Sequence, residues 1–410
     1  MHHQSKIRHK FNIWIAKDSS AGLLLAIATA TALLWANSAW HESYTVFSEL
    51  KFGISILNLE LPIHSWITDG LLTFFFFLVG MEVKKEFVSG ELRTPKKAMV
   101  PILAAFGGVI VPAIIYLTIT SFSADSMDIH GWAIPTATDV AFALAVLAIF
   151  GKGLPKALRS FLLTLAVMDD LIIILVIAIF YSQEIQVIPL FLGLVSILIF
   201  AVLVKFEKIH GLVLLPIGII SWWFFHESGV HPTVAGALLG FCVPILRGNR
   251  LQKFSTNLTP VTYAIILPLF AFFSAGISFV GEGASWQDFL KPVFFAVILG
   301  MILGKLLGVL GTTLLVTKLT SLRLPDSIGL RDLLPIGFLA GIGFTVSILV
   351  TELSFSGSDQ YNSAKTAIIL ASTLSATLGA VTLRWNARLP RSKDMNEDGI
   401  EDSNNSLIEG

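Results

Sequence analysis

Asp169 and Asp170 are adjacent carboxylates in the middle of the apolar run Ser160-FLLTLAVMDDLIIILVIAIF-Tyr181. A helix of that length crosses the roughly 30 Å hydrocarbon layer of a bilayer at about 1.5 Å per residue. The pair then lies about as far from water as the layer allows. Each carboxylate at that depth costs roughly 2.5–3.5 kcal/mol even on the lenient insertion scale. Two side by side add like-charge repulsion, which a bound cation or proton relieves. Packing gives nothing in return for such a pair, so its chemistry is binding of a cation or a proton.

Three further features belong with the pair. Asp139 lies in Gly131-WAIPTATDVAFALAVLAIF-Gly151. There Pro135 removes a backbone donor, and Thr136 and Thr138 place hydroxyls beside the carboxylate. Such a segment suits a broken helix whose freed backbone lines a polar cavity, with Asp139 complementing a positive helix end; the plain alternative is a Pro-kinked helix with Asp139 bonded to its neighbours. Lys305 lies 13 residues from Lys318 and 14 from Lys291 in another apolar run. That is roughly 20 Å each way, beyond the reach of a snorkelling lysine stem. It needs a carboxylate partner at similar depth, either a permanent ion pair or one that breaks when substrate binds, and Asp139, Asp169 and Asp170 are the candidates. The third is Leu334-PIGFLAGIGFTVSILV, where Pro335, Gly337, Gly341 and Gly343 weaken a helix just before Thr345.

The elements that must position these residues follow from hydropathy. The 410-residue chain is 54% hydrophobic and 14% charged, against about 25% charged residues in soluble domains. The expected fold class is an all-α polytopic membrane protein. Its twelve spans lie near 20–37, 64–84, 99–120, 131–150, 158–181, 187–205, 211–225, 230–246, 260–281, 292–317, 333–352 and 363–385. With both termini cytoplasmic, every Lys and Arg falls on the inside except Lys51, Lys291 and Lys365 in outside loops and Lys305 within a span. That alternation is what the positive-inside rule requires. Spans 3–5 start inside and spans 10–12 start outside, each triplet with its interrupted helix in second place. This is the relation of an inverted repeat with a site at the membrane midplane.

Zero net charge implies no nucleic-acid partner, and the single Cys242 excludes an intrachain disulfide. The apolar run 21–36 reads as a retained first helix rather than a signal peptide. In the long first outside loop, Leu50-KFGISILNLELPI alternates apolar and polar residues and predicts a short strand or hairpin. The tail after Pro390, RSKDMNEDGIEDSNNSLIEG, is polar and acidic and is expected to be disordered.

The segments GWAIPTATDVAFALAVLAIFGKGLP, FLLTLAVMDDL, SGVHPTVAGALLGFCVP, ILPLFAFFSAGIS, GKLLG and GFLAGIGFTVSIL, with FFFFLVGMEVKKEFVSGEL and AAFGGVIVPAIIY, together resemble the bacterial NhaA Na+/H+ antiporters. The resemblance runs from about residue 20 to 386 in order and spacing. It implies exchange of cytoplasmic Na+ or Li+ for external H+, electrogenic and serving sodium and pH homeostasis, in the bacterial inner membrane, with no cofactor and no enzymatic activity. It also implies broken helices crossing at the midplane and a homodimer formed through the loop near 45–60. Asp169 and Asp170 match the family's ion-binding pair, with Asp139 and Thr138 beside it and Gly341, Gly343 and Thr345 in the second broken helix. Lys305 matches the buried lysine that pairs with the first aspartate or compensates helix C-terminal dipoles. Glu82 matches an acid near the cytoplasmic funnel, and His231 a histidine linked to pH response. Position alone also allows an interfacial Glu82 and a capping or packing His231.

The implied division is 1–19 cytoplasmic N-terminus, 20–98 helices 1–2 with the periplasmic loop (panel and dimer part), 99–181 first core repeat, 182–290 linker and panel helices, 291–386 second core repeat, and 387–410 disordered cytoplasmic tail. Three departures stand out: residues 255–259 lack the Glu and His cluster tied to pH sensing, Ile172 and Ile173 replace small residues after the pair, and Ser274 stands where Asn is usual. An intramembrane aspartyl protease would need its two aspartates on different helices with a GxGD motif, which is missing here. A Na+-coupled solute symporter on the same fold is the alternative transporter. The retained Asp139, Asp169, Asp170 and Lys305 argue against a member that has lost transport.

Overall fold

In a bilayer, backbone N–H and C=O groups must be paired within the segment that carries them, so long apolar runs fold as helices. The computed structural model describes residues 18–54, 59–93, 95–123, 125–182, 184–206, 211–245, 258–278, 286–397, 399–402 and 406–408. Among these residues six helices are long and apolar enough to span: Ile63–Ser89, Ala98–Thr120, Lys156–Phe180, Leu258–Ala275, Pro292–Leu319 and Gln360–Ala387. Three bent pairs raise the number of spans to as many as nine: Ser20–Ala36 with His41–Glu49 (114°), Ser126–Thr136 with Val140–Phe150 (45°), and Leu330–Ala340 with Phe344–Phe355 (47°). Val187–Leu203, Val213–Glu227 and Pro232–Cys242 are shorter apolar helices.

The first outside loop holds the expected hairpin. Strands β1 (Lys51–Ile54) and β2 (Leu59–Pro62) pair antiparallel with Lys51 opposite Pro62 and Ile54 opposite Leu59. The helix His41–Glu49 that precedes it lies outside the twelve expected spans. It is held by tertiary contact, because Tyr44 donates to the Phe272 carbonyl at 2.6 Å and its ring packs edge-on against Phe272.

The described chain falls into two compact units. The first takes in Leu24–Val88 and Ile174–Ser278. Within it, Gly236 and Gly240 lie one turn apart on Pro232–Cys242 and press on the backbone of Thr73 and Phe77. Small residues spaced by four permit this close helix approach. The second unit takes in Lys17–Leu23, Ser89–Ile173 and Phe279–Gly410. Its tightest seam joins Pro95–Thr120 to Lys305–Leu319, where Gly107 and Gly308 meet backbone to backbone. A side chain on either would force the helices apart. Leu147, Leu158, Leu162, Leu165, Leu333 and Ile336 are fully buried in the apolar core of this unit.

The C-terminal tail corrects the expectation of disorder in its described residues. Arg391 forms a two-pronged bond to the buried Asp332 at 3.1 and 2.9 Å and donates to the Ser327 carbonyl at 2.6 Å. Ile408 donates to the Leu154 carbonyl and Lys156 to the Ser406 carbonyl, both at 2.8 Å. Polar composition removes an independent core, but here the tail's few charged and apolar groups find matched partners on the second unit.

Candidate ion site

Both interrupted spans break where the sequence places their Pro, Thr and Gly residues. The chain is extended at Ala137 and Asp139, between Ser126–Thr136 and Val140–Phe150. It turns at Gly341 and Gly343, between Leu333–Ala340 and Phe344–Phe355. The two breaks touch, with Asp139 N–H donating to the Ile342 carbonyl at 2.6 Å. The glycines serve this approach: a Cβ at Gly343 would sit 2.9 Å from the Ala137 carbonyl, and one at Gly341 2.5 Å from the Met301 carbonyl. Their role is to admit neighbouring backbone, not to weaken the helix.

Asp139 caps two helices at once. Its Oδ1 accepts from Phe142 N–H at 3.0 Å, closing the start of Val140–Phe150. Its Oδ2 accepts from the Thr345 hydroxyl at 2.7 Å and from Thr345 N–H at 3.3 Å, at the start of Phe344–Phe355. One carboxylate therefore faces two positive helix ends. Thr345 takes part through its side chain as well as its backbone.

Asp169 and Lys305 form a fully buried ion pair, Nζ to Oδ2 at 2.6 Å. Thr138 closes a triangle with them. Its oxygen accepts from Lys305 at 3.0 Å, and its single proton faces Asp169 Oδ2 at 2.7 Å and the Ala340 carbonyl at 2.9 Å. The Ala340 carbonyl ends a half-helix, so Lys305 and Thr138 also sit at a negative helix terminus. Lys305 directly follows a π-helical stretch, Gly300–Gly304; such a bulge alters the direction of the side chains that follow and recurs at functional sites. Asp169 Oδ1 is buried with no hydrogen-bond partner. Asp170 is also buried, turned by about 100° around the same helix.

Thr138, Asp139, Asp169, Lys305, Gly341, Gly343 and Thr345 thus meet in one cluster of the second unit, with Asp170 next along the chain. Glu82 and His231 belong to the first unit and its own contacts. His231 Nε2 lies 3.4 Å from Asp69 Oδ1, and its Nδ1 lies 2.6 Å from the Thr233 hydroxyl. Sequence reading passes over Asp69, although an acid near the start of a span is itself a signal. Among the departures, Ile173 is buried and Ser274 Oγ is buried without a partner, so the shorter side chain leaves a donor unsatisfied. Residues 255–257 lie outside the described residues.

Replacing Gly343 by Ala is expected to push the breaks apart and weaken Na+-dependent transport at least tenfold. Gly311→Ala, with nothing within 4 Å of the added methyl, is expected to leave it unchanged. Apparent Na+ affinity in membrane vesicles distinguishes the two.

The family model described as Na+/H+ antiporter 1 matches residues 12–383. An Arthrobacter relative named Na(+)/H(+) antiporter NhaA is 45% identical over 95% of this chain and 89% of its own length. Namesakes from Frankia casuarinae and Mycolicibacterium smegmatis are each 43% identical, over 95% and 94% of this chain and 91% of their own lengths. With the match spanning the broken helices, the dyad and the lysine alike, the chain belongs to the Na+/H+ antiporter 1 family of multi-pass membrane proteins.

Proposed function

We propose that this protein exchanges cytoplasmic Na+, or Li+, for external H+ at the Asp169–Asp170 pair. The observation that carries the reading is the buried Asp169, with one oxygen held by Lys305 and Thr138 and the other unpartnered. A buried carboxylate oxygen without a partner is costly, and a cation or a proton removes the cost. Na+ is held when the carboxylates of Asp169 and Asp170 are ionised, with Thr138 or water completing its shell. Protons compete for the same oxygens, so occupancy by one ion excludes the other. Exchange is then obligatory without separate sites.

Lys305 balances the charge of the dyad. Protonating the dyad removes the attraction that holds the lysine, and binding Na+ sets a second cation against it. Either event loosens the pair and frees the helix that carries it. Asp139 accepts from the N-terminal ends of both half-helices, so these positive ends are not left bare toward the incoming cation. More than one proton moves against each Na+, which makes exchange electrogenic. The membrane potential then acts by about 2.3 kcal/mol per 100 mV on each net charge.

With each bent pair taken as one span, the six long helices, three bent pairs and three shorter apolar helices match in number the twelve spans of the proposed topology, which lies in the bacterial inner membrane with both ends cytoplasmic. Segments 99–181 and 291–386 form the inverted repeats, and the broken spans cross at the midplane. The described residues of β1 are exposed along their length, which suits pairing of two copies through the loop at 45–60. No cofactor and no enzymatic step enters this scheme. The symporter reading has no support, since the relatives carry antiporter names.

Adding Na+ to acid-loaded everted vesicles that contain this protein is expected to drive protons out of the lumen, and Li+ to do the same. Wild-type vesicles that hold their pH gradient on Na+ addition would rule out the assignment.

A further inference from the structure

The second unit carries an apolar groove that ion exchange does not use. It runs between helix Val140–Phe150 and helix Gln360–Ala387 and leaves a space of about 380 Å³. Val146 and Phe150 form one wall, and Ala376, Thr377, Ala380 and Val381 form the other. The alanines keep the space open, since longer side chains there would fill it. Thr377 is the one polar residue of these six, and its hydroxyl already donates to the Thr373 carbonyl at 2.8 Å. Inside the groove nothing is left to bond a polar ligand, so the body of its occupant is hydrocarbon.

The rim is opposite in character. Arg384 closes one end of the groove, with its guanidinium 4.9 Å from the centre of the Phe150 ring. Among the described residues it makes no ion pair and no side-chain hydrogen bond. Arg388, one turn further on, is exposed and has no carboxylate partner among them either. Like charges four residues apart on a helix repel, and an anion between them removes the repulsion. Both arginines suit the negative end of their helix, but that alone does not lay Arg384 across the mouth of a groove. Trp385 stands beside Arg384 and is 51% exposed. Such an amphipathic ring marks the level of the lipid headgroups. Thr377, Val381 and Arg384 are exposed, so the groove opens sideways to the hydrocarbon, and its charged rim lies at the cytoplasmic face of the proposed topology.

We infer that this groove binds an anionic phospholipid of the inner leaflet, with an acyl chain between the two helices and the phosphate on Arg384 and Arg388. A guanidinium grips phosphate through two parallel N–H···O bonds. Basic pockets between spanning helices on the cytoplasmic side suit anionic headgroups. A zwitterionic lipid offers the same chain but sets an ammonium against the arginines. Free phosphate offers the charge without the chain, and the apolar walls then contribute nothing. Helix Val140–Phe150 begins at Asp139, so a lipid in the groove braces, from its far end, the half-helix that starts in the ion site.

The test is native mass spectrometry of the purified full-length protein in detergent, titrated with phosphatidylglycerol or phosphatidylethanolamine. The wild type is expected to retain phosphatidylglycerol about tenfold more tightly than phosphatidylethanolamine. Arg384→Gln is expected to remove that preference while keeping Na+-driven proton flux in vesicles, which shows that it is folded. Ala380→Phe fills the groove and is expected to weaken phosphatidylglycerol binding with both arginines in place. Lys318→Gln, an exposed basic residue at the end of another helix, is expected to change nothing. Equal retention of the two lipids by the wild type would overturn the proposal. So would a loss of preference as large in Lys318→Gln as in Arg384→Gln, which would mean general charge attraction. Displacement of the lipid by inorganic phosphate alone would overturn it too, by making the groove irrelevant.

Discussion

Asp170→Asn is expected to abolish Na+-coupled proton movement in everted vesicles while the protein remains inserted and folded. Asn keeps the shape and one acceptor oxygen but loses the negative charge and the exchangeable proton. A Na+ ion at depth in a bilayer then faces one carboxylate, Asp169, whose Oδ2 is already paired with Lys305. Tight cation sites gain affinity from the number of charged oxygen donors, so removing half of the dyad's charge removes most of the differential between Na+ and water. The expected fall is at least a hundredfold in apparent Na+ affinity, or about 2.7 kcal/mol, which reads as no flux at ordinary Na+. Retained flux in this variant would move the ion site elsewhere.

Lys305→Ala is the second large effect, and it acts first on stability. Lys305 and Asp169 are both wholly buried. Breaking such a pair from one side leaves an uncompensated charge and costs about 3–5 kcal/mol. Removing both charges together is far milder, because no lone ion remains. Thermal unfolding in detergent is therefore expected to rank wild type above Lys305→Ala/Asp169→Asn, and that double variant above Lys305→Ala alone. If the double variant loses the sum of the two single losses, the residues do not act as a pair. Transport is expected to be lost in Lys305→Ala, in Asp169→Asn and in the double variant, since the balance between one proton-loaded and one Na+-loaded state is gone.

The ionisable residues at depth were the legible part of the site. Asp169, Asp170, Asp139 and Lys305 stand out because each opposes the apolar pattern around it. The breaks were legible because Pro135, Gly341 and Gly343 oppose helix, although the glycines prove to serve close backbone approach. Partnership was legible only through the resemblance, which pairs Lys305 with the first aspartate or with helix C-terminal dipoles. The residues by themselves left three candidate carboxylates, and geometry selects Asp169. The double capping by Asp139 depends on a contact between residues 206 positions apart, and the single-sequence pattern carries no trace of it. Helix His41–Glu49, too short and polar to read as a span, and the docked tail escaped for a related reason: both are held by tertiary partners, Phe272 and Asp332.

In this mechanism Na+ and H+ contend for the same carboxylates. Equilibrium binding of radiolabelled Na+ to the purified protein, followed as pH is lowered from alkaline to mildly acidic, tests it without any transport step. Competition predicts that the apparent dissociation constant rises as pH falls, by about tenfold per pH unit for each proton displaced. An equal release of protons should accompany Na+ addition at fixed pH. A dissociation constant that stays level across that range, with no protons released, would contradict the claim.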